Sequence, residues 1–372
     1  MTGSRLCSAA TGEVLWGTAS RMFRPWDGGY RIALPVASGI SDDVVPCGPI
    51  REMRIGSWRK DIYGRFMSFM EENGYAVDED FFFFDYDWRR DNVDSARRLA
   101  LELQRIANAR ANGRVNLICQ SNAAYICRYL VKYGDVSLED AERGRRNPPP
   151  RVQIEKVIFV GTANGGAIRI LRELNRGRQY LRVIGRRWRP ETFFTFPALY
   201  QDLPTYGSDL FLDAAGRPMP VDLFDQQSWR KYGWSIFAPP VQSRLRRADK
   251  AKFGTPMERD AFLSRALESA RRLHEVLRRD NDAPLPGYYS IQSLDSPTPA
   301  HARLTEREGR WRTIFLNDAS GDRHATAESQ NWFSNRERAA LAAPTSYLKE
   351  RHFEMITTQE ARKRILEIVT SR

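Results

Sequence analysis

The chain has 372 residues, of which 42% are hydrophobic and 28% charged, enough for one large domain with insertions or for two smaller ones. No run of about 18 apolar residues occurs, which excludes a membrane-spanning helix, and the opening Met1-Thr2-Gly3-Ser4-Arg5-Leu6-Cys7 has no apolar signal core. The net charge of +12 is spread over many arginines without a nucleic-acid motif or interleaved aromatics. Nucleic acid is therefore not an expected partner, whereas peripheral contact with an anionic membrane surface fits the charge.

Residues 1–60 are rich in Gly and Pro, and Gly3-Ser4-Arg5-Leu6 followed by Thr11 to Gly17 has hairpin character. Ile62, Phe66, Phe69 and Met70 recur at helical spacing, and Asn73-Gly74-Tyr75 ends that helix. The run Phe81 to Phe84 predicts a strand buried on both faces. Asp94 opens an amphipathic helix through Leu99, Leu101, Leu103 and Ile106 that closes near Gly113. Val115 to Gln120 then reads as a strand, Ser121 as a tight turn, and Tyr125 to Tyr133 as a helix.

After a charged loop over 134–151, Val157 to Val160 predicts another buried strand, turned into a helix by Gly161-Thr162-Ala163-Asn164-Gly165-Gly166. This alternation predicts a mainly parallel sheet flanked by helices. From 177 to 284 it breaks into a stretch dense in aromatics and proline, ending in a long helix from Pro256 to Arg279. That stretch reads as a cap inserted between two parts of the core, 1–176 and 285–372. Most of its aromatics should form the cap's own core. A minority, assigned as Phe196, Leu199, Tyr200, Trp229 and Trp234, should face a substrate. Strands resume at Tyr288 to Gln292 and Trp311 to Leu316. A last helix runs from Thr358 to Val369, with Thr357 and Glu360 at capping-box spacing.

A strand that breaks into a helix through a serine presents that hydroxyl above a sheet edge, although Ser121 could equally cap the helix. Cys119 and Ala123, two residues before and after it, are small enough for the close approach of strand and helix. An acyl-transfer serine also needs a base and a carboxylate, in the chain order Ser, Asp, His for this architecture. Of four histidines, His352 lies on the loop before the last helix, and Asp322 follows a late strand on a Gly-containing turn. His324, two residues from Asp322, is expected to be too close in sequence to reach Ser121. The reading is an α/β-hydrolase fold with Ser121 as nucleophile, His352 as base, Asp322 as its orienter and Asn122 N–H as an oxyanion donor.

Several segments resemble the lecithin:cholesterol acyltransferase family, particularly its bacterial members. They are Asn73-Gly74-Tyr75, Asp85-Tyr86-Asp87-Trp88-Arg89, the Ser121 window, Gly161 to Gly166, Phe196 to Pro204, and Gly321-Asp322 with His352. The resemblance implies a serine-dependent acyltransferase or lipase acting on lipid esters, without metal or cofactor. It also implies that the family's first core strand and its Pro-Gly loop lie ahead of Met1, leaving Gly3 as the second oxyanion donor. The chain departs from the family pattern at Ala163, at Gln120, Ala123 and Ala124, and at Arg323-His324-Ala325-Thr326. A non-catalytic relative with a binding or scaffold role, and a simple esterase or thioesterase, are the competing expectations. Cys119 and Cys127 fall inside regular elements and read as small buried hydrophobes, so the default compartment is the cytoplasm. A start further upstream would make it secreted or periplasmic.

Overall fold

A computed structural model describes residues 3–23, 25–37, 39–109, 113–180 and 186–371. The N-terminal hairpin is present: β1 (Ser4–Ser8) pairs antiparallel with both β2 (Val14–Trp16) and β3 (Val44–Pro49). Two helices follow, α1 (Gly64–Glu72) and α2 (Asn92–Asn108). Asp91 starts α2 by accepting the Val93 N–H at 2.8 Å, which satisfies one of the donors left open at a helix N-terminus.

The central sheet comes next. β4 (Arg114–Gln120) leads through Ser121 into α3 (Ala123–Tyr133), and β5 (Gln153–Val160) leads into α4 (Ile168–Arg176). The long helix α5 (Pro256–Arg278) precedes β6 (Gly287–Ser293). β7 (His301–Arg307) and β8 (Arg310–Leu316) form an antiparallel hairpin, β9 (Ser346–Leu348) follows, and α6 (Gln359–Thr370) ends the chain. The sheet order is β9-β6-β5-β4, and all three pairings are parallel. β5 is one of its two inner strands: Val157 to Val160 are fully buried, because side chains on both faces meet helices.

Three expectations about the elements change. Phe81 to Phe84 form no strand and make only an isolated bridge from Phe81 to Val77. Among the described residues β4 pairs with β5 alone, and these phenylalanines face a cavity on its open side. Trp311 to Leu316 is a strand, but of the hairpin; the central sheet takes the shorter β9 instead. The last helix is capped by Thr358, whose hydroxyl accepts the Ala361 N–H at 3.2 Å, rather than by a Thr357–Glu360 box.

The cysteines are also not free. Cys7 joins Cys47 and Cys119 joins Cys127. The first bridge ties β1 to β3 and the second ties β4 to α3, pairings that residue spacing does not reveal.

The segment 177–284 packs its aromatics inward. Phe193, Phe194, Phe196, Tyr200, Trp229 and Trp234 belong to one buried cluster that also takes in Trp16 and Trp88. Trp16 stands 4.9 Å from both Trp88 and Trp188, close enough for edge-on aromatic contact. Phe211–Leu212 pairs in parallel with β7, so the stretch shares a small sheet with the later part of the chain.

Its long helix α5 is anchored end-on by α3. Lys132 Nζ donates to the carbonyls of Leu277, at 2.7 Å, and Arg279, and Tyr133 Oη donates to that of Val276 at 2.7 Å. These satisfy carbonyls that a helix C-terminus leaves open. Beside them Arg128 makes a buried fork on Glu337 at 2.7 and 2.8 Å. Removing one partner of such a pair typically costs about 3–5 kcal/mol, because the other charge stays buried.

Candidate active site

β4 ends at the Ser121 amide, which donates to the Val160 carbonyl at 3.2 Å and prolongs the parallel ladder by one residue. Ser121 itself has φ 54°, a left-handed conformation that a non-glycine residue adopts only when its surroundings impose it. The backbone folds back at once into α3, with Asn122 at its N-cap. The Cys119–Cys127 bridge closes this turn from strand to second helical turn.

Ser121 Oγ lies 2.7 Å from His352 Nε2, and His352 Nδ1 lies 2.7 Å from Asp322 Oδ2. Accepting from Nδ1–H, Asp322 leaves Nε2 free to accept the serine proton. The loop before α6 brings His352 there, held by its own N–H on the Asp322 carbonyl at 3.0 Å. Asp322 Oδ1 accepts two backbone N–H groups, from His324 at 2.9 Å and Ala325 at 2.8 Å. That turn requires glycine at 321, since a Cβ there would lie 2.2 Å from the Ala325 carbonyl oxygen. Burial alone would raise the Asp322 carboxyl, but His352, His324 and the Ala325 N–H hold it below the usual carboxylate range.

A second aspartate and histidine stand beside this line. His324 Nε2 is 3.4 Å from Asp202 Oδ2, and the rings of His324 and His352 are 4.4 Å apart. Burial pushes Asp202 up to about 7, against the pull of His352 and a Tyr125 hydrogen bond. Burial, with His352 and Arg169 nearby, pushes His324 well below the usual histidine range. Glu173 completes the wall, 3.3 Å from both Arg169 and Arg178.

Two spaces meet at Ser121. A small pocket is walled by Trp88, Leu199, Asp202, His324, His352 and Phe353. On the other side, a cavity of about 1020 Å³ runs along the open edge of β4, past Phe66, Met70, Phe81 to Phe84, Leu103 and Ile356. Asn122 borders both spaces, and Gly3 borders the larger one with Ser121. As the N-cap residue Asn122 has an N–H without an intrahelical partner. Its side chain is held by Asn92, with Nδ2 donating to Asn92 Oδ1 at 2.7 Å.

Of the five residues assigned to the substrate from sequence, only Leu199 lines the serine's pocket. Phe196, Tyr200, Trp229 and Trp234 are core residues, and three of them spend their polar atoms internally. Tyr200 Oη donates to the Phe194 carbonyl at 2.9 Å, Trp229 Nε1 to that of Leu223 at 2.7 Å, and Trp234 Nε1 to Thr313 Oγ1 at 2.8 Å. Sequence reasoning missed Asp202 and His324 as neighbours of the site. His324 does not bond Ser121, as its position in the chain suggests, yet it shares the pocket because the Asp322 turn carries both. The described residues hold no cluster of three or more His, Cys, Asp or Glu able to bind a metal.

No protein-family model matches the chain, and no curated protein matches it by sequence. A solved structure does match: a chain in the crystal structure of the Tle4–Tli4 complex, at TM-score 0.60 and 13% identity, covering 99% of this chain and 96% of that one. The resemblance to the lecithin:cholesterol acyltransferase family is thereby corrected. Short segments such as Asp85 to Arg89 carried it, and in the structure Asp87 and Arg89 hold the fold together locally. Arg89 Nη2 bonds Asp87 and Asp42 at 2.6 Å each, wholly buried. With its parallel sheet flanked by helices, Ser121 on the turn between strand and helix, and this structural match over its whole length, the chain has an α/β-hydrolase-like fold.

Proposed function

We propose that the chain is a serine hydrolase that cleaves lipid esters through an acyl-enzyme on Ser121. The line Ser121–His352–Asp322, with 2.7 Å at each step, carries this reading. Ser121 Oγ attacks the ester carbonyl as its proton passes to His352 Nε2, and Asp322 stabilises the imidazolium that results. The oxyanion is met by the Asn122 N–H, at the positive end of α3, with the Gly3 N–H as second donor from the cavity wall. His352 then protonates the departing alcohol, and the same cycle with water releases the carboxylic acid. An acceptor alcohol in place of water would make the chain an acyltransferase. The apolar lining of the larger cavity supports a long acyl chain as the group transferred.

The test uses a fluorophosphonate probe and p-nitrophenyl esters of increasing chain length. Labelling and turnover should be lost in Ser121→Ala, with preference for long chains and release of free acid unless an alcohol is supplied. Turnover confined to acetate-sized esters would point to a simple esterase. Absence of labelling in a folded wild-type chain would sink the proposal and favour a binding or scaffold role. The two disulfides support an oxidising compartment as the working site, outside the cytoplasm. Thiol titration of freshly isolated native protein should find no free cysteine.

A further inference from the structure

A pocket of about 390 Å³, sharing no lining residue with either space at Ser121, is bordered by Arg176, Arg186, Arg187, Arg189, Arg244 and Trp26. One buried carboxylate serves it: Glu191 takes a fork from Arg244 at 2.6 and 3.0 Å and lies 3.9 Å from Arg189. Among the described residues Arg176, Arg186 and Arg187 pair with no carboxylate. Backbone carbonyls hold them instead. Arg176 Nη2 donates to Thr313 at 2.6 Å, Arg186 Nη1 to Trp26 at 3.2 Å, and Arg187 Nη1 to Arg176 at 2.6 Å.

A guanidinium has five N–H donors, so each anchor fixes the group while leaving donors over and its charge unneutralised. The Arg189 stem lies against Gly28, where a Cβ would stand 2.6 Å from Arg189 Cδ. Burial, with Arg172 and Arg187 close by, pushes Arg176 below the usual arginine range. Cations fixed side by side repel one another, and an anion among them relieves that repulsion. Arg186 stacks 4.6 Å from the ring of Trp26, which stands 65% exposed at the rim. An aromatic of this kind suits a boundary between water and lipid.

We propose that this pocket binds a phosphoryl anion, drawn either from a soluble phosphate ester or from the headgroup of an anionic phospholipid. Arginine forks match phosphate oxygens two at a time, which lysines at the same places would not do. The test titrates the full chain with inorganic phosphate and glycerol 3-phosphate by calorimetry. In parallel it co-sediments the chain with phosphatidylcholine vesicles with and without phosphatidylglycerol. Arg186→Gln/Arg187→Gln is compared with Arg310→Gln/Arg312→Gln, which removes the same charge from exposed positions on β8.

The pocket pair should weaken binding about tenfold or more, as loss of two charged hydrogen-bonding groups implies, while the control pair leaves it unchanged. Arg187→Lys, which keeps the charge and loses the fork, should fall between them and covers the case in which the double variant misfolds. Phosphate binding without vesicle binding assigns a soluble ester. Vesicle binding that Trp26→Ala also weakens assigns a lipid headgroup. No saturable phosphate binding, together with vesicle binding that drops equally in the pocket and control variants, would overturn the proposal in favour of a diffuse charge effect.

Discussion

Asp322–His352 and Asp202–His324 are pairs of the same residue types, with their histidine rings 4.4 Å apart, yet their surroundings act on them in opposite ways. Asp322 accepts two backbone N–H groups and a histidine N–H, so its charge is satisfied and its carboxyl stays low despite burial. Asp202 is also buried but gains only a Tyr125 hydroxyl at 3.2 Å and a distant histidine, and burial wins, pushing it to about 7. Backbone donors therefore separate a carboxylate that stays ionised from one that titrates near neutral pH. Residue type and proximity do not define a relay; the hydrogen bonds behind the carboxylate do.

The largest expected effect separates the histidines. His352→Ala should lower kcat on an ester substrate by about 10⁶-fold, the scale seen when a relay base is removed. His324→Ala should lower it by no more than about tenfold, since His324 has no bond to Ser121. Comparable losses in single-turnover acylation would erase the distinction. The aspartates come next. Asp322→Asn should cost about 10⁴-fold through the wrong imidazole tautomer, whereas Asp202→Asn should leave kcat within a few fold at neutral pH and alter its pH profile near 7.

Stability against pH sharpens the same contrast. The Asp202 carboxyl is raised to about 7 in the fold, above about 4 when unfolded. Its unfolded form ionises first, so Asp202 disfavours the fold progressively from about pH 4 to about pH 7 and levels off above. Asp322, lowered in the fold, contributes stability above about pH 4 that is lost as pH falls through its folded value. Asp202→Asn should therefore flatten Tm between about pH 4 and 7, and Asp322→Asn should reduce Tm at neutral pH but not in acid. Thermal melts across that range decide it; parallel curves for the two variants would refute the assignment of opposite environments.

The smallest effect concerns the turn itself. The Cys119–Cys127 bridge spans eight residues, for which chain entropy gives about 2.5 kcal/mol, against about 4 kcal/mol for the forty between Cys7 and Cys47. Cys119→Ala/Cys127→Ala should lower denaturant stability by less than Cys7→Ala/Cys47→Ala. It should nonetheless reduce kcat more, because it loosens the left-handed Ser121. Equal kcat in the two variants would show that the sheet and helix alone hold the turn.

Local pattern was enough for β4, Ser121 and α3, and for β5 and the Gly161 turn, because runs of apolar residues broken by small ones encode strand-to-helix units within a few positions. The order of Ser121, Asp322 and His352 was readable for the same reason, since each sits at the end of a local element. What only the tertiary structure decided involves partners far apart in sequence. Phe81 to Phe84 satisfy the composition of a buried strand but join no sheet; they line the cavity beside the open edge of β4 instead. The aromatics from Phe196 to Trp234 read mostly as core, but pattern could not pick out the minority assigned to a ligand. Their indole and phenol groups found internal carbonyl and hydroxyl partners instead. The cysteines read as small hydrophobes until the fold brought them together, and Asp202 met His324 across 122 positions of chain. Hydrophobic period is a property of neighbours in sequence, whereas a disulfide, a carboxylate's donors and a cation's missing counter-charge are properties of neighbours in space.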